Sequence, residues 1–100
     1  MVKLTVLFGH PDNPEAFEAY YANYHLPLAA KLPHVQCFES GRVRVADGGA
    51  PPYHRIAEVW FENAARMGEA MSSPEGKAAT VDLQNFATGG VTFFVSQVEA

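Results

Sequence analysis

The sequence predicts one α+β domain built on a four-stranded antiparallel sheet, with elements in the order strand, helix, strand, strand, helix, strand. Three observations lead there. With 100 residues, of which 48% are hydrophobic and 18% charged, the chain has material for a single core and should fold rather than stay disordered. Four stretches alternate apolar residues or concentrate β-branched and aromatic ones, and helical stretches behind recognisable caps separate them. No repeat, linker or low-complexity segment divides residues 1–100, so one domain spans them.

The first strand is read from Val2, Leu4, Val6 and Phe8 alternating with Lys3 and Thr5, a period of two with one strongly apolar face. Gly9 to Asp12 turn the chain. Asp12 or Asn13 can cap a helix whose first turn holds Pro14 and Glu15, since proline there loses no needed hydrogen bond and a carboxylate suits the positive helix end. Phe17, Tyr20, Tyr21, Tyr24 and Leu28 recur on one helical face, His25 lies at its edge, and Pro27 must kink or interrupt the helix. Val35 to Val45 and Tyr53 to Phe61 read as a hairpin with a long loop from Asp47 to Pro52. Asn63 caps a short helix through Met71, and Ser73 with Pro74 starts another that should end near Gly89. The last strand runs from Val91 to about Val98. This order is the ferredoxin-like arrangement.

Helices on one side of a sheet leave the other side to solvent, which should then be polar. These strands are apolar both ways. Tyr53, Ala57, Val59 and Phe61 oppose Ile56 and Trp60, and Val91, Phe93 and Val95 oppose Phe94 and Val98. A second sheet, most simply that of another subunit, is expected to cover the outer face in a face-to-face homodimer.

Composition narrows the functions available. Eleven acidic against seven basic residues give a formal charge of −4, with no basic stripe to track phosphates, so nucleic acid is not an expected partner. Val2 to Phe8 is too short for a signal peptide and no long apolar run could span a membrane, which makes a soluble cytoplasmic protein the expectation. The one cysteine, Cys37, has no partner for a disulfide or zinc site and is read as buried strand filling. His10, His25, His34 and His54 lack metal-ligand spacing, so no metal is expected. Gly48-Gly49 and Gly89-Gly90 belong to a hairpin and a helix end rather than a phosphate loop, so no nucleotide cofactor is expected either. Ser72 and Ser73 are better explained as helix caps than as nucleophiles.

His25 is the first candidate for chemistry, because imidazole both takes and gives a proton near neutral pH. Tyr20, Tyr21 and Tyr24 beside it form an amphipathic wall suited to an apolar ligand that carries a few oxygens. The plainer alternative is a histidine satisfied by a backbone carbonyl freed near Pro27. Arg55, a charge in an apolar strand, either orients a ligand carboxylate or carbonyl or pairs with Glu58, Glu39 or Asp82. Phe38, Tyr53 and Trp60 either line the same cavity or fill the core.

The segment Phe17-x-x-Tyr20-Tyr21-x-x-x-His25-x-Pro27-Leu28 resembles the most specific stretch of the EthD family, named for a gene cluster that degrades ethyl tert-butyl ether. Tyr53-His54-Arg55-Ile56-Ala57-Glu58, Ser73-Pro74-Glu75-Gly76, and Asp82 to Phe86 followed by Gly89-Gly90 resemble it too. The resemblance covers nearly the whole chain. His34 departs from it, since family members often carry glycine after the matching proline, and the departure is expected to reshape the mouth of any pocket. The resemblance implies a dimeric α+β barrel and a pocket between helices and sheet where small organic molecules are handled without metal or flavin. Chemistry among similar proteins includes lactone isomerisation, dehydration of polyketide-like aromatics and cofactor-free oxidation. Carried over, His25 would be the general acid or base, and Tyr21 and Arg55 would orient the substrate.

The expected function is therefore a cofactor-independent isomerase, dehydratase or oxidoreductase for a small apolar oxygenated compound. His25 would be catalytic, with Tyr20, Tyr21, Tyr24, Leu28, Phe38 and Arg55 around the substrate. A binding or carrier module for a hydrophobic metabolite uses the same pocket without chemistry. In a third reading the groove is filled by its own side chains and binds nothing.

Overall fold

The computed structural model of the chain describes residues 1–99. It contains β1 (Val2–Phe8), α1 (Pro14–Tyr20), one wide π turn (Tyr21–His25), α2 (Leu26–Ala29), β2 (Val35–Arg42), β3 (Arg55–Phe61), α3 (Ala64–Ser72), α4 (Pro74–Asp82), a 3₁₀ turn (Leu83–Asn85) and β4 (Val91–Gln97). The four strands are antiparallel in the order β2-β3-β1-β4, which is the ferredoxin-like sheet expected from the element order.

The caps form as their residue types require. Asn13 accepts from the backbone N–H of Ala16, Asn63 from that of Arg66, and Ser73 from that of Gly76, each satisfying an N–H that the first helical turn leaves unpaired. α4 ends sooner than the expected boundary near Gly89, because the chain tightens at Leu83–Asn85 and Gly90 then turns it with a φ of 88°.

The core lies between the sheet and the helices. Val2, Leu4, Val6 and Phe8 of β1 and Ala57, Val59 and Phe61 of β3 are buried there with Phe17, Tyr21 and Phe86. Phe8 meets Phe17 edge to face with ring centres 5.4 Å apart, an arrangement that adds to plain burial. The opposite face carries Lys3, Thr5, Leu7, Ile56, Glu58, Trp60 and Phe94, as the register and the alternation of a strand dictate. It is part polar: Lys3 pairs with Glu58 at 2.9 Å and lies over the Trp60 ring.

A bulge in β2 decides which of its residues face the helices. Val35 stands opposite Phe61 but Cys37 stands opposite Trp60, so the register shifts by one between them and the residues beyond change sides. Phe38 and Ser40 thereby face the helices, while Cys37 is turned to the far side and is exposed. The expectation that Cys37 fills a buried strand position is therefore corrected. That reading rested on the absence of a disulfide or zinc partner, which says nothing of the strand's facing, and the bulge turns the side chain outward.

Candidate active site

The site is organised by the wide turn at Tyr21–His25. Proline at position 27 offers no N–H, and its ring crowds the carbonyl four residues back. The helix responds by widening rather than breaking, and the Leu26 N–H bonds to the Tyr21 carbonyl five residues earlier. Such single wide turns occur often at functional positions. Here the widening lays the Tyr21 and His25 rings side by side, 5.6 Å between centres, and both are buried.

His25 is 8% exposed and meets a carboxylate rather than a backbone carbonyl. Its Nδ1 lies 3.0 Å from Oδ2 of Asp82 at the end of α4. The other carboxylate oxygen, Oδ1, accepts from the Tyr20 hydroxyl at 2.6 Å and from Asn85 Nδ2 at 3.0 Å. Burial pushes the Asp82 carboxyl up, but the hydrogen bonds from Tyr20, Asn85 and His25 together outweigh it and hold the group below its ordinary value. The same bond to Asp82, with burial second, raises the Tyr20 phenol above its usual range. An ionised Asp82 accepts from Nδ1–H, which leaves Nε2 as the basic nitrogen of the neutral ring.

His25 lines a narrow cleft of about 60 Å³ between sheet and helices, together with Phe8, Tyr21, Phe38, Val59, Leu83 and Phe93 among others. Among the described residues no hydrogen bond reaches Nε2, and no buried side-chain nitrogen is sealed without a partner, so Nε2 is open to the cleft. A larger hollow of about 490 Å³ shares Ala29 and Phe38 with this cleft. Phe38 therefore borders both spaces.

A second polar group stands on the other side of Tyr21. Glu18 is held by Arg55 through two guanidinium nitrogens and by His54 Nε2 at 2.7 Å. Arg55 also donates to Ser40 Oγ at 3.0 Å, Ser40 shares a 2.7 Å hydrogen bond with the Tyr21 hydroxyl, and the guanidinium lies 4.6 Å from the Tyr21 ring centre. Burial raises the Glu18 carboxyl, and the bonds from Arg55 and His54 with the Arg55 and Arg42 charges overcome it, so the net shift is downward. The Tyr21 phenol is raised, chiefly by burial.

Of the residues singled out from sequence, His25, Tyr21 and Phe38 meet at the cleft. Tyr20 stands behind the histidine as a donor to its carboxylate. Tyr24 is 61% exposed and packs its ring on the outer side of Tyr20. Leu28 is outside the cleft lining, where Ala29 and Leu32 take the corresponding places, because the inserted residue rotates everything after His25. Arg55 is paired with Glu18 and not with Glu58, Glu39 or Asp82. His34 adopts a φ of 65°, the left-handed conformation that glycine takes without cost. The His34 ring faces Glu69 at 3.2 Å and is not part of the cleft lining.

Asp82 as the partner of His25, with Asn85 and Glu18, escaped the sequence reading. The first two lie some sixty residues along the chain from the histidine; the usable sign was a carboxylate within a segment already matched as Asp82 to Phe86. Glu18 lies one turn before Tyr21 on the same helix, a carboxylate beside an aromatic stripe. Among the described residues no three His, Cys, Asp or Glu side chains gather as a metal-ligand set.

Comparison with known proteins bears on the family and the fold. The EthD domain model matches residues 11–90. An uncharacterised 11.0 kDa protein of the thcB-thcC intergenic region of Rhodococcus erythropolis is 38% identical over 99% of this chain and 96% of its own length. The crystal structure of an EthD family protein from Bacillus halodurans superposes with a TM-score of 0.92 at 28% identity, covering 99% of both chains. At 14% identity the fold alone is shared with SnoaB, a cofactor-independent oxygenase from Streptomyces nogalater (TM-score 0.68, 99% of this chain and 92% of that one). Dimeric proteins of ferredoxin-like fold match likewise, at 16–20% identity with TM-scores of 0.69 and 0.71. The match over most of the chain, together with the 38% identical relative, places this protein in the EthD family.

Proposed function

We propose that the chain is a metal- and flavin-free acid–base catalyst acting on a small, mostly apolar, oxygenated organic molecule, with Nε2 of His25 as the group that moves a proton. The observation that carries this reading is the His25–Asp82 pair. A buried carboxylate fixes one ring nitrogen, while the other is open to an otherwise apolar cleft. A cleft lined mainly by apolar side chains strengthens any charge that develops in it, and an ionised partner complements the imidazolium formed when Nε2 takes a proton. Nε2 would remove a proton from carbon next to a carbonyl. Returning that proton to another carbon gives an isomer, and giving it to a departing hydroxyl gives water and an alkene. Alternatively the carbanion adds dioxygen, and the peroxide formed takes back the proton held on Nε2. O–O cleavage with loss of water then leaves a new carbonyl, a cofactor-free oxidation of the class in which the distant neighbour SnoaB is found.

The reading includes a homodimer packed through the outer sheet face, on which Ile56, Trp60 and the 54% exposed Phe94 stand. It also includes a cytoplasmic location and no nucleic-acid partner, both resting on composition. No described helix is long and apolar enough to cross a membrane.

Native mass spectrometry of the purified protein, followed by assay of any compound it retains, tests the proposal. A dimer that carries a small organic molecule and converts it is expected. His25→Gln should keep the dimer and lower turnover by about 10²–10⁴-fold, the usual worth of a positioned acid or base. Unchanged turnover in the variant would overturn the assignment of His25. A retained compound that is never converted would make the protein a carrier.

A further inference from the structure

We propose that the corner where the β2–β3 hairpin meets the start of α1 is a second binding site, separate from the His25 cleft, for a small anion bearing a carboxylate or phosphate group. A hollow of about 290 Å³ opens there, lined by His10, Arg42, Arg44 and His54 together with Pro14, Val43 and Pro51. Its size is close to that of the smaller ligand sites in proteins.

Charge is distributed against the chain's overall sign at this corner. The protein has a formal charge of −4 and only seven Lys and Arg residues. Arg42 and Arg44 line the hollow, and Arg55 lies just behind them on Glu18. The Val43 N–H bonds to the His54 carbonyl, so the strand pairing continues past β2 and its alternation brings Arg42 and Arg44 to the same side. Glu18 offsets them only in part. Its oxygens are taken by Arg55 and His54, and Arg42 reaches it only at 3.8 Å with its own side chain 59% exposed. Among the described residues Arg44 has no carboxylate partner.

The remaining geometry is held in place before any ligand arrives. His10 Nε2 lies 2.7 Å from the Pro51 carbonyl, and His54 is fixed by Glu18 and by edge-on packing against Phe17 at 4.9 Å. Two guanidinium groups on one side of an open hollow match the paired oxygens of a carboxylate or phosphate, which they can bind with parallel hydrogen bonds. The acid-poor lining excludes cations by the same electrostatics. A macromolecular polyanion is not favoured, since two arginines form no extended basic stripe.

The test is a titration of the full chain with inorganic phosphate and, separately, with acetate. Amide shifts are followed by NMR at constant ionic strength, with chloride as control. Saturable shifts confined to residues 10, 42–44 and 54 are expected for at least one anion, with Kd on the order of millimolar. The better-bound anion identifies which oxygen acid the site takes. Arg42→Gln with Arg44→Gln should weaken binding about tenfold or more, since each removes a charge-assisted contact. His25→Gln should leave it unchanged, which separates this site from the cleft. Both arginine changes lie on the exposed surface, and an unaltered melting temperature verifies folding. Shifts that do not saturate, that chloride reproduces, or that survive the double substitution would overturn the proposal.

Discussion

Replacing Asp82 by asparagine should reverse the proton on His25 while leaving most of the packing intact. Oδ1 of Asp82 receives the Tyr20 hydroxyl and Asn85 Nδ2, while Oδ2 faces His25 Nδ1. An asparagine keeps its two donors only by placing its carbonyl oxygen at the Oδ1 position, which turns its NH₂ group towards the histidine. Nδ1 must then accept, and the ring proton moves to Nε2, where it blocks the nitrogen that would act as base. Hydrogen bonds to a charged group contribute about 1.5–3 kcal/mol and neutral ones about 0.5–1.5 kcal/mol. With two donors retained and one reversed, the expected loss is about 1–3 kcal/mol, a fall in melting temperature of about 5–20 °C for a chain of this size. The assay is a long-range ¹⁵N–¹H correlation of the imidazole at about pH 8.5, above the ordinary histidine range, together with a thermal melt. The parent should carry its proton on Nδ1 and Asp82→Asn on Nε2, with Tyr20→Phe as a control that removes one donor and keeps the parent tautomer. An Nε2 proton in the parent, or no change in Asp82→Asn, would refute the orienting role of the carboxylate.

Stability should fall at both ends of the pH range for reasons that can be assigned. Asp82 and Glu18 are held below their ordinary values in the folded chain. The unfolded state therefore binds more protons in the acid range, and their contribution, complete above the usual carboxylate values, is lost as pH falls through the folded ones. Tyr20 and Tyr21 are raised, so their contribution is complete below the usual phenol value near 10 and is lost as pH rises through the folded ones. Denaturant midpoints measured from about pH 3 to 11 should show both limbs, and Glu18→Gln or Asp82→Asn should flatten the acid one; an unaltered acid limb in both variants would refute the assignment. Gly76→Ala is expected to cost about 1–3 kcal/mol, because the added methyl would lie 2.1 Å from the Ala70 carbonyl oxygen and 2.8 Å from Met71 Cα. A melt as high as the parent's would show that α3 and α4 do not approach so closely there.

The fold was legible because local rules and the global arrangement agree in this chain. Alternation in Val2–Phe8, the Asn13 and Asn63 caps and the Ser73-Pro74 start each name one element, and those elements form where expected. Errors arose where one residue was inserted without changing composition. The bulge after Val35 exchanged Cys37 for Phe38 on the helix side of β2, and the wide turn moved Leu28 away from the cleft while bringing His25 in. Periodicity arguments assume a constant repeat, so each insertion is invisible to them and changes the facing of the later residues in its element. Partners distant in sequence were hidden for a different reason. Nothing local links Asp82 to His25 or Glu18 to Arg55, since those contacts exist only once α4 and β3 pack against α1.

Among the described residues a buried histidine–carboxylate pair, His25–Asp82, stands near a part-buried one, His54–Glu18, and the surroundings of each carboxylate distinguish them. Glu18 is bonded to His54, but Arg55 already supplies a full positive charge to both of its oxygens, with Arg42 further out. Little of that carboxylate's field is left for a charge on the His54 ring. Asp82 is met by a phenol and an amide, which donate hydrogen bonds without carrying charge, and His25 is the cation-forming group among its partners. Its full negative charge is therefore available when the ring takes a proton. Neutral donors also fix the carboxylate in position without competing for that charge. Tyr21 separates the two pairs, with its hydroxyl tied to Ser40 on the Arg55 side and its ring beside His25. The same wide turn places the ring in the cleft and the histidine next to it. Under the proposed function it is therefore His25, and not His54, that would move the proton, while His54 holds Glu18 beside Arg55.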